Sequence, residues 1–150
     1  MRKGLFLIII LISININAQK SVPTKNESIM ETIRLIYPQW QGGDIARWIP
    51  EVPNPDDASR GYYLGAQLLN FLASDKGQKT FTVPVTTAIT ERKVVDGVLD
   101  RDIILKQSKA ALHILNMERP NKIVTLGGEC SVSVVPFTYL ANKYKDDVAM

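Results

Sequence analysis

The chain has 150 residues, with 18 Lys and Arg against 15 Asp and Glu and a formal charge of +3. That length allows one modest domain. Without Arg2 and Lys3 at the extreme N-terminus, 16 basic residues face 15 acids. The remainder is close to neutral and has no Lys/Arg cluster, which excludes nucleic acid as a partner. The single cysteine, Cys130, excludes an internal disulfide. It leaves a free thiol, a metal ligand or a small buried apolar residue as the readings of that position.

Arg2 and Lys3 are followed by an apolar run, Leu5 to Ile14, broken only by Ser13, and by Asn15-Ile16-Asn17-Ala18. This is the three-part pattern of a secretory signal peptide. The run is about ten residues long, whereas a bilayer core needs roughly 20. An uncleaved anchor is the alternative; a lipoprotein is not expected, because no cysteine follows the run. The expectations are cleavage after Ala18, a periplasmic or secreted product, and no stable membrane span after cleavage. Residues 19–31 read as a flexible N-terminal segment and residues 32–150 as an α/β domain.

Thr32 to Tyr37 is a β-rich run stopped by Pro38. A long irregular stretch follows, Gln39 to Asp57, carrying Trp40 and Trp48. Loops of this length are functional or mobile, and the two tryptophans are either apolar walls of a ligand site or core-packing anchors. Ser59 to Ala73 reads as a helix with an apolar stripe of Leu64, Leu68, Phe71 and Leu72. Thr80 to Val85 reads as a second strand with Pro84 near its end, and 86–97 as a connector. Asp100 or Asp102 caps a helix to about Met117. Its expected inner face is Ile104, Ser108, Ala111, Leu112 and Leu115, and its outer face Asp102, Lys106, Lys109 and His113. Ile123 to Leu126 is apolar and β-branched, as a strand covered on both faces would be. Ser131 or Ser133 then caps a helix to about Lys145, with Pro136 in its first turn. Asp147 to Met150 resembles the start of a fourth strand. The alternation predicts an α/β fold with a mostly parallel sheet and helices on both faces.

The segment Ile123 to Ser133, IVTLGGECSVS, concentrates the chemistry. In α/β folds ligands and metals gather at the C-terminal ends of strands. Gly127-Gly128 serves either a tight turn or the close approach of a ligand. Neither a dinucleotide fingerprint nor a P-loop is present. Cys130 falls near a helix N-terminus, which favours thiolate and suits a metal ligand or nucleophile; the alternative is a buried apolar thiol. The only histidine, His113, is expected on a wet helix face, so a Cys–His pair lacks its base. Glu129 is a lone acid that caps or pairs locally.

IVTLGGECSVS resembles the strand-and-turn motif of the arginase/agmatinase (ureohydrolase) family, usually written GGDHS. IYPQWQGG and RGYYLGAQLL resemble that family's first strand, Gly-rich loop and first helix. The likeness is greatest to a divergent bacterial branch with a GGDC-type turn. The resemblance implies a three-layer α/β/α fold, a pair of manganese ions at the strand C-terminal edge, and hydrolysis of a guanidinium-type C–N bond in a small-molecule guanidino substrate. Two such metals lower the pKa of a bridging water. A homo-oligomer is also among the expected partners. The family's metal-binding histidine falls on Cys130, a softer ligand suited to zinc or iron. The family's remaining ligands, on D-A-H-x-D and D-x-D motifs, would fall after Met150. The chain is therefore expected to be the N-terminal half of such a protein, inactive as given. The rival expectation is a non-catalytic binding or structural α/β domain that has lost the metal site.

Overall fold

A computed structural model describes residues 32–74, 76–88 and 91–145. The expected signal peptide, the segment 19–31 and the fourth strand at 147–150 lie outside the described residues. Eleven elements follow in order. They are β1 (Thr32–Tyr37), α1 (Ile45–Trp48), α2 (Pro55–Ser59), α3 (Gly61–Leu72), β2 (Lys79–Thr82), β3 (Val94–Val95), β4 (Val98–Leu99), α4 (Arg101–Glu118), β5 (Lys122–Gly127), a 3-10 turn (Cys130–Ser133) and α5 (Val134–Tyr144). Among the described residues no helix is long and apolar enough to cross a membrane.

The main sheet has the order β2-β1-β5, and both pairings are parallel. Parallel neighbours need crossover connections, which α3 and α4 supply. The chain steps from β1 to one side, then crosses to the other, so the strand order reverses at β1. The loops at the C-terminal ends of β1, β2 and β5 meet at that reversal, where α/β proteins place their sites. The mixed α/β class with a parallel sheet is thus as the alternation predicts.

Side chains alternate across a strand, and β1 uses both of its faces. Ile33, Leu35 and Tyr37 join a core with Val83, Ala111 and Leu115 of the α4 side and Val132, Val135 and Tyr139 of the α5 side. On the other face, buried Arg34 donates to Asn70 Oδ1 (3.4 Å), the Ala73 carbonyl (3.4 Å) and the Ser74 carbonyl (2.6 Å) at the end of α3. A cation there complements the carbonyl end of the helix.

Four expectations need correction. The strand covered on both faces is β1, not β5: Lys122 and Val124 of β5 are exposed, because β5 lies at an edge of the described sheet. The stripe Leu64, Leu68, Phe71 and Leu72 does not face the sheet. Ala66 is the buried residue of α3, with Tyr62, Tyr63 and Asn70 half-buried beside it, so the apolar stripe points outward. The connector 86–97 contains one strand of a hairpin, β3 paired antiparallel with β4. Asp96 (φ 51°) and Gly97 (φ 79°) form its two-residue turn, the Asp-Gly chemistry such turns favour. Finally, Ser131 and Ser133 do not cap by side chain; Glu129 does, accepting from the Ser131 N–H.

The helix expected up to about Met117 is as predicted in phase. In α4, Gln107, Ala111 and Leu115 are buried, while Asp102, Lys106, Lys109 and His113 are exposed. Pro136 occupies the first turn of α5, where its missing N–H costs nothing.

Candidate functional site

The loop after β1 and the turn after β5 are locked together. The ladder between the two strands continues beyond them: Gly128 N–H donates to the Tyr37 carbonyl (3.0 Å) and Glu129 N–H to the Gln39 carbonyl (3.0 Å). This approach leaves no room for side chains. A Cβ on Gly128 would overlap the Gln39 backbone, and one on Gly42 would sit 2.7 Å from the Glu129 carboxyl carbon. Gly42 of PQWQGG and Gly128 of GGEC therefore serve the two sides of one close contact, whereas Gly43 and Gly127 make room for Tyr62 and Val132. That is the tight-turn reading of Gly127-Gly128, with the close approach made by the protein's own backbone.

Behind the contact lies a buried polar chain. Gln39 Nε2 donates to Glu129 Oε1 (2.7 Å) and to Ser131 Oγ (2.7 Å). Gln39 Oε1 accepts from Tyr37 OH (3.2 Å) and from Gln107 Nε2 (2.9 Å). Gln107 Nε2 also donates to Gln41 Oε1 (3.1 Å), and its Oε1 accepts from Thr86 N–H (3.2 Å). Gln41 Nε2 and Trp40 Nε1 both reach the Thr86 carbonyl, each at 2.9 Å. Gln39 thus makes all four bonds its amide allows. Glu129 is buried, and its carboxylate takes the Gln39 amide, the Ser131 N–H (2.7 Å) and the Ser131 hydroxyl. Burial with partners is the condition under which such groups are tolerated.

Arg92 ties the outer loops to this frame. It donates to Asp100 Oδ2 (2.9 Å), Asp56 Oδ1 (3.3 Å), the Gly43 carbonyl (3.4 Å) and the Gln41 carbonyl, and its guanidinium lies 5.7 Å from the Trp40 ring centre. Asp100, expected as a helix cap, spends its carboxylate on Arg92 and on the Lys93 N–H (3.3 Å). The two tryptophans part company: Trp40 is buried as an anchor, whereas Trp48 is exposed.

Cys130 lies at the rim with its side chain exposed, which removes the reading of a buried apolar thiol. The neighbouring acid is turned inward and bonded. Among the described residues, no group of three or more His, Cys, Asp and Glu could hold a metal ion. Catalytic metal sites use about three protein ligands. Of the described residues, Cys130 is the one rim group here left free to act as a ligand for the manganese pair that the resemblance implies, since the acid beside it is committed to Gln39 and Ser131. His113 is on the wet face of α4 and is not brought into this constellation.

A cleft of about 430 Å³ opens beside the turn, lined by Ile45, Gly61, Tyr62, Gly65, Leu69 and the Gly127-Gly128 backbone, among others. Its wall is mostly apolar, with no ionisable side chain except Tyr62. Sequence reasoning missed Gln39, Gln41, Gln107 and Arg92. Gln107 alone left a signal, a polar residue at i+3 from Ile104 and i−4 from Ala111 on the inner face. No protein-family model matches the chain, and no curated protein matches it significantly.

Proposed function

We propose that this chain bears part of the site of an arginase-type α/β hydrolase acting on guanidinium-type C–N bonds. The observation that carries this reading is the opposite fate of two adjacent residues at the sheet's C-terminal rim. Glu129 is buried and bonded, while Cys130 presents a free thiol outward. That is the division of roles the GGDHS resemblance implies, with position 129 structural and position 130 a ligand. The finer architecture belongs to the same proposal: a three-layer α/β/α sandwich. In support, Ile33, Leu35 and Tyr37 meet α4 and α5, while Arg34 bonds the end of α3. On this reading further ligands come from residues other than those described. Such a hydrolase would act in the periplasm or outside the cell.

The test uses protein purified from its native host, as wild type and as Cys130→Ser. Bound transition metal, together with urea release from small guanidino compounds, supports the reading when both fall at least about tenfold in the variant, or 1.4 kcal/mol. Protein without metal and without hydrolysis overturns it. The second reading, a non-catalytic binding or structural domain, would then stand. It draws on the saturation of Gln39, Gln107 and Glu129 by one another, which leaves none of them a free reactive group.

A further inference from the structure

The outward face of α3 has the wrong polarity for a wet surface. At 100° per residue, Gly61, Leu64, Gly65, Leu68, Phe71 and Leu72 fall within about 60° of Leu68. Leu64 is 60 % exposed, Leu68 51 %, Phe71 84 % and Leu72 75 %. Surface helices normally carry polar residues on that side. Here the entire helix, GYYLGAQLLNFL, lacks a charge, and its polar Asn70 and two tyrosines are turned toward the fold instead.

We infer that this face is the interface of a symmetric homodimer, formed by two copies of α3 packed antiparallel about a dyad at Leu68. Three observations favour a second copy as the occupant. The stripe is self-complementary about Leu68. In an antiparallel pair Leu68 meets itself, Phe71 meets Leu64 of the partner subunit, and Leu72 meets Gly61 and Gly65 of the partner subunit. Both glycines have open space where a Cβ would be, so large side chains find small ones. With no charge on the helix, no like charges are brought together across the dyad. The exposed residues offer on the order of 500 Å² of surface per copy, so a close-packed pair removes up to about 1,000 Å², the size at which specific association begins.

Sedimentation equilibrium of the purified full chain tests this, with Leu68→Glu and Phe71→Lys as variants. Both positions are exposed, so far-UV circular dichroism and the melting temperature of the monomer should not change. A discrete dimer is expected for the wild type, weakened at least about 100-fold by Leu68→Glu, because two like charges then face each other at the dyad. In a Cys130→Ser background, Leu68→Cys should form an intermolecular disulfide under mild oxidation, and His113→Cys should not. A monomer at about 100 µM, a ladder of larger species without a discrete dimer, or a dimer indifferent to Leu68→Glu would each overturn the inference.

Discussion

Gly128 shows how little tolerance the rim has. Its missing side chain is what lets the turn after β5 lie on the Gln39 backbone and donate to the Tyr37 carbonyl. Gly128→Ala must separate the two segments, and the buried amides behind them lose their geometry. We expect a loss of about 3 kcal/mol or more, read by urea unfolding, which is the range of overpacking combined with broken buried bonds. Tyr37 adds a pH dependence. Burial is the main cause that raises its pKa above 10.0; the Ser108 hydrogen bond lowers it, and the Glu129 charge raises it further. A folded-state pKa above the unfolded one favours the protonated form, so this contribution is full below about pH 10 and is lost as pH rises beyond it. Tyr37→Phe should cost about 1 kcal/mol at neutral pH through its hydrogen bonds. It should also make the alkaline fall in stability shallower, though not abolish it, since burial raises the Tyr139 pKa as well. An alkaline limb identical to wild type in denaturant titrations from pH 8 to 11 would count against this assignment.

Between elements, polar side chains do the joining that apolar contact does elsewhere. Arg92 links the loop after β1, α2 and the start of α4 through Gln41, Asp56 and Asp100. Asp100 is buried, so removing its partner strands a charge. Arg92→Ala is expected to destabilise by about 3 kcal/mol, as breaking a buried pair does. Asp100→Asn in the same background should recover part of that loss in thermal melts, because the stranded charge is then gone. The outer face of α4 is the counter-case. His113 is exposed beside exposed Lys106 and Lys109, and His113→Ala should change stability by under about 0.5 kcal/mol. A change above about 2 kcal/mol in chemical unfolding would mean the helix phase is wrong. The hairpin carries its signal in the turn alone: Asp96-Gly97, between Val94-Val95 and Val98-Leu99, is the strongest short hairpin signal. Its two-residue strands are too short to show alternation, so only the turn chemistry could have revealed it.

At the scale of the molecule, the chain places a parallel sheet, a glycine lock and one outward thiol at a common edge. One thiolate does not hold a metal firmly. Residues 19–150 expressed alone and dialysed against dilute manganese or zinc should therefore retain well under one ion per chain by elemental analysis, unlike the protein from its native host. Tight stoichiometric binding would show that ligands were missed. What the sequence determined by itself was the local and periodic: strands at 32–37 and 123–126, the wet and dry faces of α4, the break at Pro38, and a tight turn as one of two readings of Gly127-Gly128. Those follow from side-chain period, backbone stiffness and turn chemistry within a few residues. The tertiary structure decided which side of α3 is inside, because Arg34 on β1 needs polar partners and the sheet admits Ala66 more closely than a leucine. It also decided that Gln39, Gln41, Gln107 and Glu129 form one network, since their partners lie 66 to 90 residues apart in sequence. No local pattern encodes such a pairing; it arises only when three strand ends are brought to the same edge and each buried polar group must find a partner there.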